Sequence, residues 1–409
     1  MTLREKFSNF TTIFYTPMLI YFFLLFGISL TAIASAQPLI PANIADTNFL
    51  LRQVIFYGVG MVATVTALFM GAKNIRLIRW PVYGLCFFLI IMILLFNHPN
   101  SNLFPIVNGA ARWINLGFMS LQPSEFMRIA LILVVADIIQ KHNEKIPHET
   151  RTFKTDFNLI IKAFGVVLIP SLLIFIQPDS GITILILITT SFMLLAAGIK
   201  WTYILVVAGS ALFFVYIFLF FVINHPDFLI NTIGIESYRI DRFDALLDPF
   251  GTISGVGFQL ARALTGMGSG GVLGHGFQSG TIWFPEAHTD LIFAVIGTDF
   301  GMIGSMTVIG ICLFFNLEIL NTAILNRDHY NSHVCVGIFA SLMAQQFWNI
   351  GMLLGILPIT GVTLPFISFG GSSVLASMIM FGLVLSAHIE GKRLKHHDAS
   401  YKEGILYLS

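Results

Sequence analysis

The chain has 409 residues, of which 56% are hydrophobic and only 11% charged, where a soluble domain carries about 25% charged residues. A soluble core cannot absorb that much apolar surface, so the bilayer is the solvent for most of the chain. The net charge of +1 gives no footing for a nucleic-acid partner, and Cys86, Cys312 and Cys335, scattered through apolar runs, form neither a disulfide framework nor a metal-binding spacing.

The first apolar run, Ile13 to Ala36, is too long for the core of a signal peptide and reads as an uncleaved first span. Further runs follow at roughly 54–72, 80–97, 124–140, 158–176, 181–198, 202–223, 289–318, 333–357 and 366–389, which makes about ten spans of about 20 residues. They are helices, because backbone in lipid must satisfy its own hydrogen bonds. Pro170, inside the fifth, predicts a kink. The expected fold class is an all-α polytopic membrane protein, a single membrane domain over 1–409.

With the N-terminus in the cytoplasm, most of the 22 Lys and Arg fall inside, and only Arg52, Arg112, Arg128, Arg239, Arg242 and Arg262 fall elsewhere. Both termini are then cytoplasmic, with 391–409 as an inner tail. The outside segments 177–181 and 358–365 are very short, and 98–123 is moderate. The segment 224–288, between the seventh and eighth spans, is large. Long connections are usually functional or disordered. This one contains "GFQLARALTGMGSGGVLGHG", where Phe258, Leu260, Leu264 and Met267 precede a glycine-rich stretch. A flexible linker needs no such residues, so a folded cap with a short interfacial or re-entrant helix is expected.

The stretch "WFPEAHTDLIFAVIG", 283–297, crowds Glu286, His288 and Asp290 at the mouth of the eighth span. An acid there has two readings. It caps free N–H groups and complements the helix dipole, or it is a general base in partly desolvated surroundings that raise its pKa. In "ARWINLGFMSLQPSEFMRI", Arg112 and Trp113 precede the fourth span, and Gln122, Ser124, Glu125 and Arg128 begin it. Trp113 as an interface anchor and Ser124 as a first-turn residue need no function. Arg128 inside an apolar span needs a partner, and Glu125, three residues before it, shares its helix face. "QPDSG" sets Gln177 and Asp179 at a tight outer turn, a common place for Asp, and "YRIDRF" adds Arg239 and Arg242. Carboxylates and arginines thus gather on one side, which suits a site facing the outer leaflet and an anionic amphiphile or its phosphates.

Six stretches, "RWINLGFMSLQPSEFMRIAL", "IQPDSG", "RFDALLDPFG", "GFQLARALTGMGSGGVLGHGF", "PEAHTDLIFAVIG" and "LPFISFGGSS", run in the order and spacing of one family. Along almost its whole length the chain resembles the SEDS proteins of bacterial shape, elongation, division and sporulation. The resemblance implies a peptidoglycan glycosyltransferase, multi-pass in the cytoplasmic membrane. Such enzymes polymerise lipid II on the outer face, usually with a class B penicillin-binding protein as transpeptidase partner. The family's essential acid falls on Asp290. The chemistry needs a base near the acceptor hydroxyl and positive charge near the departing pyrophosphate. Asp290 fits the base. Arg128, Arg112, Arg239 or a divalent cation, Mg or Mn, is left to supply the charge, and no cofactor is otherwise implied. Arg128 stands where the family usually has Lys, and Thr298 and Asp299 stand where many members have two glutamates.

Two other readings compete. A lipid II flippase needs a polar path reaching both faces, yet the ionisable residues within spans are few: Glu125, Arg128, Asp137, Asp299 and Glu318. A silent scaffold would have lost the acid at 290. The polymerase reading leads.

Overall fold

Apolar runs without water to serve their backbone fold as helices, and the computed structural model is built from them. It describes residues 16–41, 47–98, 101–106, 109–117, 119–147, 150–232 and 237–406. The chain order is α1 (Thr16–Ser35), α2 (Phe49–Phe96), a minimal hairpin of β1 (Ile114–Asn115) and β2 (Ser120–Leu121), α3 (Pro123–Lys145), α4 (Phe153–Ile176), α5 (Ser180–Ala196) and α6 (Trp201–Asn224). There follow α7 (Pro226–Asn231), α8 (Ser237–Leu247), α9 (Phe258–Ser269), α10 (Ile292–Leu325), α11 (His329–Leu353) and α12 (Gly371–Leu406). Among the described residues, six helices are long and apolar enough to cross a membrane.

Helix α2 merges the second and third expected spans. They join at Gly71, whose φ of 68° breaks the helix. Lys73, Arg76 and Arg79, expected on a loop, therefore sit on helical turns. Helix α10 breaks in the same way at Gly301, and α4 is continuous through Pro170.

Helix α3 is the centre of the bundle. It is buried on nearly every side, polar residues included, and packs against α2, α4, α5, α11 and α12. Helix α2 faces the other way, with Phe69 87% exposed, as a lipid-facing helix should be. The α2–α12 contact is close because Gly382 lies against the Thr64 backbone, where a Cβ would come within 2.9 Å of Thr64 Cα.

The 224–291 segment carries three helices, α7 to α9, where one was expected. The expected amphipathic helix is α9, and it packs on α10. A small cluster of Val222, Leu229 and Ile240 joins α6, α7 and α8. The glycine-rich stretch after α9 docks on α10: His275 N–H donates to Thr298 O at 3.0 Å and Gly276 N–H to Asp299 O at 2.9 Å. Gly274, φ 81°, lies against the Asp299 carbonyl with no room for a side chain. The buried Asp299 carboxylate accepts from the hydroxyls of Ser35 and Ser279 and so ties this segment to α1. That gives Asp299 an anchoring role which its sequence position did not disclose.

Candidate functional site

Asp290 does not cap a helix. Helix α10 begins at Ile292, its N-cap is Leu291, and no side chain caps it. Asp290 sits in the turn before it, 9% exposed. Its pKa is pushed up from 3.8 to about 6, first by burial and then by the neighbouring Glu286, with Thr289 and Arg112 opposing. The Thr289 hydroxyl bridges the two acids, 2.7 Å from Glu286 Oε2 and 3.1 Å from Asp290 Oδ1. Glu286 itself is exposed and holds a left-handed φ of 54°, and its carbonyl accepts from the N–H groups of Thr289 and Leu291 at 3.1 and 3.2 Å.

The backbone of this turn is held from two sides. Asn349 on α11, fully buried, donates through Nδ2 to Asp290 O at 2.8 Å and to Val362 O at 2.7 Å. The segment between α11 and α12, longer than the very short outer turn expected at 358–365, also donates Phe369 N–H to His288 O at 2.9 Å. It brings Gly361, φ 73°, to the acid. A Cβ on Gly361 would lie 3.8 Å from Asp290 Oδ2 and 4.0 Å from Arg112 Nη2, with nothing else within 4 Å. The acid and the guanidinium therefore flank the space that a side chain at position 361 would fill.

Arg112 reaches that space because Asp179 anchors it, Nη1 to Oδ1 at 3.7 Å, and because its guanidinium lies over the Trp113 ring at 5.9 Å. The β1–β2 hairpin that follows sets both residues beside the start of α3. Asp179 is more than a turn residue. It caps α5 through Ile182 N–H at 3.4 Å and accepts from Gln122 Nε2 at 2.7 Å and Ser124 Oγ at 3.0 Å.

The residues singled out in the sequence thus divide. Asp290 and Arg112 lie beside Gly361, Glu286 is joined to Asp290 through the Thr289 hydroxyl, and the Trp113 ring lies against the Arg112 guanidinium. Gln122 and Asp179 brace Arg112. Glu125 and Arg128, expected as substrate ligands, are buried inside the bundle instead. Arg128 Nη2 pairs with Glu125 Oε2 at 2.7 Å and Nη1 donates to Gln345 Oε1 at 2.7 Å. Gln345 passes the network on to Thr363 O at 3.0 Å. Enclosed in this way, Arg128 is a strut under the 354–370 segment. His288 is also a packing residue. Its ring lies 4.6 Å from Phe49 and 5.7 Å from Phe369, and burial pushes its pKa down, towards the neutral form. Arg239 lies on α8, and its side chain is outside the described residues. Asn349 and Gly361 carry the geometry together with Thr289, and neither of those two was singled out. An Asn in an apolar helix was the one available signal.

As for a metal, the Asp290 end offers two carboxylates and one hydroxyl. No group of three or more His, Cys, Asp or Glu gathers among the described residues.

A family model, described as cell cycle protein FTSW_RODA_SPOVE, matches residues 16–393. The chain belongs to this FtsW/RodA/SpoVE family. A probable peptidoglycan glycosyltransferase FtsW of Saccharophagus degradans is 32% identical over 360 residues, 85% of each chain. Peptidoglycan glycosyltransferase MrdB of Escherichia coli is 33% identical over 293 residues, 71% of this chain and 74% of MrdB. In fold, the chain is similar to a solved structure described as "Structural coordination of polymerization and crosslinking by a peptidoglycan synthase complex", with a TM-score of 0.72, 23% identity, and coverage of 91% of this chain and 97% of that one. The FtsW and MrdB relatives are thus about equally similar to this chain in identity.

Proposed function

We propose that this chain is a peptidoglycan glycosyltransferase that polymerises lipid II at the outer face of the cytoplasmic membrane, with Asp290 as its general base. Family membership and the names of its relatives support the reaction class. One observation supports the residue assignment: a carboxylate of raised pKa and a guanidinium flank the same side-chain-free glycine, Gly361, at one end of an apolar bundle.

The chemistry follows from that pairing. The 4-hydroxyl of the acceptor GlcNAc attacks C1 of the donor MurNAc, and its proton passes to an Asp290 oxygen as the new glycosidic bond forms. The bond from C1 to the pyrophosphate oxygen breaks with inversion, and undecaprenyl pyrophosphate leaves with the electron pair. A base with a pKa of about 6 is mostly ionised at neutral pH, yet more basic than an ordinary carboxylate. Arg112, held by Asp179, stabilises charge gathering on the pyrophosphate. The acid lies at the end of a helix bundle because the substrate's tail is in lipid and its sugars are in water. Both termini are cytoplasmic in this reading, and the partner is a class B penicillin-binding protein whose transpeptidase cross-links the product.

The test is reconstitution of the full chain, with a cognate class B partner, in vesicles given labelled lipid II, with glycan length read on a gel. Polymer that depends on this chain is the expected result. If lipid II is consumed by neither the chain alone nor the complex, the polymerase reading falls.

A further inference from the structure

A second charged cluster lies at the far end of the bundle. Tyr330 lies in the first turn of α11 and Asn349, beside Asp290, is near its end. At 1.5 Å per residue these positions are about 28 Å apart, close to the thickness of a bilayer's hydrocarbon core. Around Tyr330, three cations converge on the single carboxylate of Asp137. Arg76 Nη2 is 3.2 Å from Oδ1, Arg79 Nη2 is 3.0 Å from Oδ2 and Lys141 Nζ is 2.8 Å from Oδ2. The Asp137 side chain is 3% exposed, while those of Arg76 and Lys141 are 32% and 55% exposed, so the carboxylate lies underneath and the cations above it. Asp328 is the other acid beside Tyr330, and its Oδ1 caps α11 by accepting from Tyr330 N–H at 3.1 Å. Glu144, one turn beyond Gln140, accepts from Gln140 Nε2 at 2.6 Å.

The cluster keeps hydrogen-bonding capacity in reserve. Arg76 lies 5.0 Å over the Tyr330 ring, while the buried Tyr330 hydroxyl and the buried Arg79 Nε have no hydrogen-bond partner among the described residues. Buried polar groups are seldom left so. Two arginines and a lysine with excess positive charge and free donors match a tetrahedral oxyanion.

The surroundings say which oxyanion. Leu77 and Trp80, on the same turns as Arg76 and Arg79, are 68% and 45% exposed, and Leu85 and Phe88 continue an exposed apolar surface along α2. A tryptophan beside basic residues at the end of a lipid-facing surface marks the headgroup level. We propose that Arg76, Arg79 and Lys141 bind the phosphate of an anionic phospholipid in the leaflet opposite Asp290, with its acyl chains lying along α2. This site is separate from glycosyl transfer and its test does not depend on that activity.

The full chain, purified in detergent, is titrated with dioleoyl phosphatidylglycerol, with dioleoyl phosphatidylcholine or with inorganic phosphate. Bound lipid is counted by native mass spectrometry and stability is followed by thermal unfolding. Phosphatidylglycerol is expected to be retained and to raise the unfolding midpoint more than either other probe. Arg79→Gln with Lys141→Gln should weaken its binding about tenfold or more, since each lost contact is a hydrogen bond to a charged group. Lys154→Gln with Lys162→Gln, an equal charge change on another helix, should not. Equal loss in both doubles, or an equal response to phosphatidylcholine, overturns the site. Inorganic phosphate as effective as phosphatidylglycerol overturns the lipid assignment. The wild-type titrations decide the matter even where the Arg79/Lys141 double fails to fold.

Discussion

The two ends of the bundle treat a buried carboxylate in opposite ways. At one end Asp137 is contacted by three cations, each within 3.2 Å. At the other, Asp290 has a hydroxyl at 3.1 Å, a second acid behind that hydroxyl and one arginine on the far side of Gly361. Both side chains are shielded from solvent, so low exposure alone does not distinguish them. What differs is satisfaction. A carboxylate saturated by cations has no reason to accept a proton, whereas one that is desolvated and held beside a like charge does.

The sharpest way to break this comparison is to neutralise each acid in turn. Asp290→Asn keeps the shape and removes the basicity, and glycan synthesis from labelled lipid II should fall by about 10² to 10⁴-fold. Asp137→Asn should leave polymerisation close to wild type per folded molecule, with a lower unfolding midpoint in detergent. If the two variants lose activity alike, the contrast between the ends is wrong.

A second variant probes the space at Gly361 without touching a charge. Gly361→Val puts a branched side chain between Asp290 and Arg112 on a backbone at φ 73°, and a loss of about 10²-fold in rate is expected. Its protein level in membranes should hold. Activity near wild type would mean that substrate does not enter there.

The pH profile is a finer measure. The base works only when deprotonated, so the rate should be level above a pKa of about 6 and fall with acidification below it, about tenfold for each further pH unit. A carboxylate at its usual value would hold activity to about pH 4. A profile that stays flat down to pH 5 would show that the environment of Asp290 does not raise its pKa.

The smallest effect is expected at Asn349, which acts through the backbone. Asn349→Ala frees two buried carbonyls, at a cost of about 1–3 kcal/mol in stability. The rate should drop several-fold through kcat more than KM, and Asn349→Asp should restore little, because it offers no amide donor. An unchanged kcat in a correctly folded Asn349→Ala protein would reduce this residue to packing.

Much of this molecule was legible before any coordinates. An apolar excess dictates helices in lipid. The interruption at 224–288, the amphipathic α9 and the acid of "PEAHTD" all follow from local composition and spacing. Glu125 as a partner for Arg128 was also readable, since three residues make one helical turn. Gln345 as its second partner was not, because it lies 217 positions away. The same limit hid Asn349, 59 residues from the carbonyl it holds, and Gly361, whose importance is only that its missing Cβ leaves space beside Asp290 and Arg112. It also hid how closely Arg128 and His288 are covered, for sequence position does not tell whether neighbours enclose a residue. Composition and periodicity act through solvent transfer and local helix geometry, so the chain alone determined the lipid-borne helices and the polar stretches at their ends. Cavities, long-range pairs and exposure come from how those helices pack, and only the tertiary structure decided which acid stays unsatisfied.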